Sequence, residues 1–203
     1  MSIKRKVKAV ERLFEHLDRE ISAFQTNSGL HCVAGCGKCC TKPDIEASPL
    51  EFLPYAFQLF LNGKAEQTLE ELRQAGPVCY IYQPLSLTDN QSGSCGSYQY
   101  RGLICRLFGY AATRNKLGQL QMATCKVIKE GQQINYSKAV ENVSNGLKLP
   151  VFSNYYTRLA QIDYHLGNKM APINQALKLS LEEVINYYAY RPYPRGIKRK
   201  SLF

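Results

Sequence analysis

The sequence holds no tryptophan and only 3 histidines in 203 residues, and it contains no apolar run of about 18 residues or more. The missing apolar run excludes a transmembrane helix; the missing tryptophan decides nothing by itself. No Ser–His–Asp arrangement, phosphate loop or paired carboxylates stand out, so an enzymatic role would rest on other residues. An interrupted start also argues against a secretory signal. "MSIKRKVKAVERLFEHLDRE" opens basic, but Glu11, Arg12, Glu15, His16 and Asp18 break its apolar character and no small-residue cleavage site follows. The expectation is a cytoplasmic protein, where thiols stay reduced.

Acidic residues are absent from both ends. Residues 1–10 carry Lys4, Arg5, Lys6 and Lys8, and residues 191–203 carry Arg191, Arg195, Lys198, Arg199 and Lys200. The formal charge is +10, and setting these nine bases aside leaves the remainder about neutral. Basic ends can contact nucleic acid, anionic lipid or an acidic partner. With no RNA-binding signature beside them, solvated tails are the simpler reading.

Helical periodicity frames the chain. Val7, Val10, Leu13, Phe14, Leu17, Ile21 and Phe24 predict an amphipathic helix over 3–25, stopped by "TNSG". Ser48, Pro49 and Glu51 form a capping box opening a helix to Leu61, ended by Asn62-Gly63. A polar helix over 65–76 follows. Residues 77–125 lose the period: "VCYIY" (78–82) reads as a strand, "LTDNQSGS" (87–94) as a loop, and 108–125 as a hairpin around Asn115 to Gly118. Helices are expected again over 136–145 and 153–167. A last helix, with Ser180 and Glu183 as a second capping box, is broken by "RPYPRG" at 191–196.

What the chain has in excess is cysteine. Four of its 8 cysteines lie in "HCVAGCGKCC" (31–40): Cys32, Cys36, Cys39 and Cys40; the others are Cys79, Cys95, Cys105 and Cys125. Packing needs far fewer, and Gly and Lys between the clustered thiols form no apolar face. Disulfides disagree with a reducing compartment, and adjacent Cys39 and Cys40 would close a strained ring. "CGKC" could serve redox chemistry, but a helix and a Gly-rich loop precede it rather than a βαβ strand. A metal fits best, because thiolates are soft anionic ligands for zinc and iron and Gly lets the backbone turn around an ion. Lys38 and Arg106 are expected to offset thiolate charge. His31 reads as a flanking polar residue, and His16 and His165 as helix residues. One C-x-x-C knuckle with scattered single cysteines favours an iron–sulfur cluster; structural zinc, which uses paired knuckles, remains the alternative.

C-x3-C-x2-C-C at 32–40 followed by "CGSYQYRGLICRLFGY" (95–110) resembles the YkgJ-type cysteine-cluster family, also called CxxCxxCC. Cys95, Tyr98, Arg101, Cys105, Arg106 and Phe108 match that family's second motif, and "DIEASPLEF" (44–52) resembles its stretch leading into a helix. The resemblance covers about residues 30–126. Departures are Gly102 in place of the family's proline, a three-residue first spacing and a long Cys79–Cys95 loop. The resemblance implies a metal-binding protein, often an iron–sulfur one. A few relatives methylate flagellin lysines, but no recognisable S-adenosylmethionine motif is present here. C-x3-C-x2-C is also the radical S-adenosylmethionine spacing, without the strand–helix alternation of that fold.

The expectation is therefore a mainly α, metal-organised single domain over 1–203 with an irregular, cysteine-rich middle and a small β-hairpin. Residues 30–126 would be the metal-binding core, 1–29 and 127–190 a helical frame, and 191–203 a basic tail. Cys32, Cys36, Cys39, Cys40, Cys79, Cys95, Cys105 and Cys125 are the candidate ligands. Three roles are carried forward: an accessory or structural metal protein, a metalloenzyme such as a protein-lysine methyltransferase or redox enzyme, and a binding module using the basic ends.

Overall fold

A computed structural model describes residues 1–85 and 92–194. Helix α1 (Ile3–Ser28) buries the apolar stripe that its periodicity requires, together with Ile3. Gly29 ends it in the left-handed region (φ 68), returning its N–H to the Gln25 carbonyl at 2.9 Å. Strand β1 (Glu46–Ala47) then leads into α2 (Pro49–Leu61), whose capping box is formed as expected. Helix α3 (Ala65–Gln74) follows.

The middle is built from short pieces. Strands β2 (Tyr82–Pro84) and β3 (Gly93–Cys95) pair antiparallel, with Tyr82 opposite Cys95. A 3-10 turn (Tyr98–Tyr100) precedes the short helix α4 (Leu103–Leu107). Strands β4 (Ala112–Arg114) and β5 (Leu120–Met122) make the expected hairpin. The strand expected over 78–82 is corrected: Tyr82 donates its N–H to the Cys79 carbonyl at 3.0 Å, so the chain turns there and pairing starts only at Tyr82. The loop expected over 87–94 is also corrected at its end, because Gly93 and Ser94 belong to β3. Residues 87–91 of that loop lie outside the described residues.

Helices return as α5 (Lys126–Gly131), α6 (Gln133–Ser144), α7 (Phe152–Ile162) and α8 (Tyr164–Asn168). The single helix expected over 153–167 is thus two. Asp163 takes an extended backbone between them and accepts the Leu166 N–H at 3.0 Å, opening α8. Strand β6 (Ala171–Pro172) pairs with β1, and α9 (Ile173–Ala189) packs most extensively against α2. Ser180 is not an N-cap: it lies mid-helix and fully buried, because α9 starts seven residues earlier. The fold is mainly helical, with small two-stranded sheets around one hydrophobic core. No helix among the described residues is long and apolar enough to cross a membrane. Of the expected basic tail, 195–203 lie outside the described residues, while Arg191 stacks over the Tyr187 ring.

Lys6 reaches across to α9 and to the α7–α8 junction, with Nζ 2.7 Å from Asp163 and 3.3 Å from Glu183. Burial alone would push the Asp163 carboxyl up, but the Leu166 N–H and Lys6 outweigh it and hold it below its ordinary value. Burial would lower Lys6, yet its two carboxylates raise it. A depressed carboxyl contributes stability above its unfolded pKa, about 3.9, and loses it as acid titrates the folded group. A raised lysine contributes below about 10.4 and loses its share in stronger base. Melting temperature is therefore expected to plateau at intermediate pH and to fall below about pH 4. Lys6→Met should flatten that acid limb; an equally steep limb in the variant contradicts the pairing.

Candidate metal centre

Two tight turns shape the first cysteine segment. Cys36 donates its N–H to the Val33 carbonyl at 3.2 Å, and Cys40 to the Gly37 carbonyl at 2.8 Å. Gly37 has a positive φ of 55, and a Cβ there would sit 2.8 Å from the Gly93 carbonyl oxygen. The turn thus needs glycine for its conformation and for the close approach of β3. Gly93 donates to the Gly35 carbonyl at 2.9 Å, and Cys79 to the Cys40 carbonyl at 3.2 Å. These bonds seat the loop on the β2–β3 segment, which itself carries Cys95.

The remaining thiols arrive from separate elements. Cys105 lies on α4, and Cys125 is the N-cap of α5, its Sγ accepting the Ile128 N–H at 3.4 Å. Cys32 is anchored by its backbone N–H, which donates to the Tyr110 hydroxyl at 2.6 Å. All eight thiols are free, Cys32 and Cys39 exposed, Cys79 buried and the rest between.

Their electrostatics tie them into one neighbourhood. Partial burial, then the nearby Cys36, Cys125 and Cys39, push the Cys32 thiol up to about 11. Cys39 and Cys40 lie with their sulfurs 3.9 Å apart. A hydrogen bond from Cys40 favours the Cys39 thiolate, and the same contact, with burial, drives Cys40 upward. Burial raises Cys79, with Cys95 and Cys39 adding to it. Burial likewise raises Cys95, with Cys39 adding, and Cys105, with Cys79, Glu51 and Cys39 adding. Thiols that suppress one another's ionisation are a donor set that a soft cation would relieve. The donor chemistry therefore fits a metal. Among the described residues, no three His, Cys, Asp or Glu side chains stand together as a single-ion site.

The charge offset expected from Lys38 and Arg106 is found only in part. Arg106 is buried and turned toward α1: it pairs with Asp18, lies 4.6 Å from the Phe14 ring centre, and donates to the Arg101 and Gln99 carbonyls at 3.1 and 2.6 Å. Of the thiols, Cys95 feels its charge weakly. Lys38 is exposed. Arg101 instead favours the thiolate forms of Cys32, Cys39, Cys95 and Cys105. A sequence signal for this existed: adjacent helix residues point about 100° apart, so a Cys105 facing the cluster turns Arg106 away. His31 is exposed, with its ring Nδ1 3.2 Å from the Gly29 carbonyl oxygen, as a flanking polar residue would be.

Two motif positions find physical explanations. Gly102, in the family's proline position, has φ −64 and ψ 171 and follows Arg101 at φ −59 and ψ 143. That is backbone a proline and its predecessor adopt, but a Cβ at Gly102 would lie 3.0 Å from a Glu51 carboxylate oxygen and 3.1 Å from the Phe52 ring, so glycine also provides room for this packing. Glu51 is fully buried and joins the two halves: it accepts the Ser48 N–H at 2.8 Å and, with its other oxygen, the Ile104 N–H at 2.9 Å at the start of the Cys105 helix. Sequence reasoning assigned Glu51 only its capping role.

Residues 31–126 match the model of the CxxCxxCC family, described as "Putative zinc- or iron-chelating domain". This is the family that the cysteine motifs resemble, and the matched segment contains all eight cysteines. No curated protein and no solved structure matches the chain.

Proposed function

We propose that the eight cysteines, from Cys32 to Cys125, hold an iron–sulfur centre in a protein of accessory role. The observation that carries this reading is the seating of the 32–40 loop against the later cysteine segments: the Cys39 and Cys40 sulfurs lie 3.9 Å apart, Cys79 donates its N–H to the Cys40 carbonyl, and Gly93 of the strand that carries Cys95 donates to the Gly35 carbonyl. One C-x-x-C knuckle, Cys36 to Cys39, with the other cysteines arriving singly supports an inorganic core of several atoms over a structural zinc ion, which commonly uses paired knuckles. Thiol ligation needs reduced sulfur, which supports a cytoplasmic location.

Anaerobic purification followed by elemental analysis and an absorption spectrum tests this. Iron with acid-labile sulfide and broad visible bands that bleach on reduction are expected. Stoichiometric zinc in a colourless protein contradicts the iron–sulfur assignment, and carefully handled protein free of both metals contradicts the metal reading.

A further inference from the structure

Between the end of α3 at Gln74 and the start of β2 at Tyr82 the chain belongs to no helix or strand, and Cys79 lies in this stretch. Its polar backbone groups must find partners outside a regular ladder. Cys79 itself donates to the Cys40 carbonyl at 3.2 Å and accepts the Tyr82 N–H at 3.0 Å. The residues on either side of it are held by one side chain, Asn174.

Asn174 is the second residue of α9. Its Oδ1 accepts the Tyr80 N–H at 2.8 Å, and its Nδ2 donates to the Gly76 and Val78 carbonyls, at 2.8 Å each. A single amide can do this because it carries two donors and an acceptor in one plane. The start of α9 is itself anchored: Ala171 pairs with Ala47, and Ile173 donates to the Ile45 carbonyl at 2.9 Å. A fixed point of the helical frame, outside residues 31–126, thus brackets a cysteine inside them. Gln132, between α5 and α6, treats the residue before Cys32 in the same way, accepting the His31 N–H at 3.1 Å and donating to the His31 carbonyl at 2.6 Å.

Gly76 and Val78 are exposed, so water can satisfy their carbonyls when Asn174 does not. Such bonds add little to global stability. What the amide adds is a fixed place for the buried Cys79 between them.

Resting on the metal reading above, we infer that Asn174 is a positioning residue for Cys79, its amide holding that thiol in register with the first cysteine segment before any metal is bound.

The test uses the full-length native chain, Asn174→Ala and Asn174→Asp. Alanine removes all three bonds. Aspartate keeps the acceptor for Tyr80 and loses both donors, while an acid in the first turn suits a helix N-terminus. Each metal-free protein is titrated with cobalt(II) against a competing chelator, and alkylation of Cys79 is followed by mass spectrometry. Both variants are expected to bind cobalt about 10-fold more weakly, with shifted thiolate-to-cobalt absorption bands. Cys79 should be alkylated faster in both metal-free variants, and the melting temperature of metal-free Asn174→Asp should stay close to the native one. Native cobalt affinity and bands in the two variants overturn the inference. Weaker binding with native band positions and native Cys79 reactivity overturns it as well, in favour of a purely structural role. A native chain that binds no cobalt overturns the metal reading, and the inference falls with it. Failure of the clamp alone is distinct: the native chain binds cobalt, and neither binding nor Cys79 reactivity changes in the variants.

Discussion

Cys39→Ser is expected to release the metal and to loosen the cysteine-rich middle while leaving the helical frame folded. Metal binding is coupled to folding wherever the ligands themselves organise the backbone. Here the coupled part is identifiable. The first cysteine segment holds β2 and β3 through the Gly93–Gly35 and Cys79–Cys40 backbone bonds, and the Gly96 N–H reaches the Ile81 carbonyl at 2.8 Å. The strands themselves are only three residues each. A short two-stranded ladder has little stability of its own. The frame does not depend on it, because α1, α2, α7 and α9 bury their apolar faces against one another. Hydrogen exchange should therefore rise sharply over the described residues of 77–125 and stay slow in α2 and α9. A serine variant that retains its metal content, melting temperature and exchange pattern refutes Cys39 as a ligand.

Glu51→Ala is expected to destabilise the protein by about 3 kcal/mol, since it removes a helix cap and strands buried donors. The Ser48 N–H, the Ser48 hydroxyl at 3.2 Å and the Ile104 N–H all lose their acceptor. For a chain of this size, that corresponds to about 6–12 °C in melting temperature. Burial pushes the Glu51 carboxyl up, opposed by the Ser48 and Ile104 N–H groups. Glu51→Gln keeps one acceptor but turns an amide N–H₂ toward a donor, so an intermediate loss is expected. A melting temperature for Glu51→Ala within a degree or two of the native one contradicts the account of this carboxylate as the link between α2 and α4.

Local rules made the frame readable. The stripe on α1, the Ser48–Glu51 box and the hairpin around Asn115 to Gly118 all depend on neighbours within a few residues, and all are found. The Ser180–Glu183 pair misled because a serine three residues before a glutamate also occurs inside helices. Glu183 serves Lys6, 177 residues away in sequence, a pairing no local pattern encodes. The split at Asp163 was hidden for a similar reason: its carboxylate caps α8 and pairs with Lys6 at once. At the candidate centre, residue type alone named the eight thiols, and their soft anionic chemistry is the reason to expect a metal there. The exchange of Arg106 for Arg101 was decided by which way one short helix faces. The dual role of Glu51 was decided by α4 docking onto the start of α2.

The most direct measurement is alkylation of the native protein under anaerobic conditions, read by mass spectrometry at Cys39. Cys39 is exposed and a hydrogen bond from Cys40 favours its thiolate, whereas Cys32, pushed up to about 11, reacts slowly with or without metal. Metal ligation predicts that Cys39 resists alkylation in the native protein and reacts promptly once a chelator has removed the metal. Prompt alkylation of Cys39 in the native protein, at a rate the chelator leaves unchanged, contradicts the account.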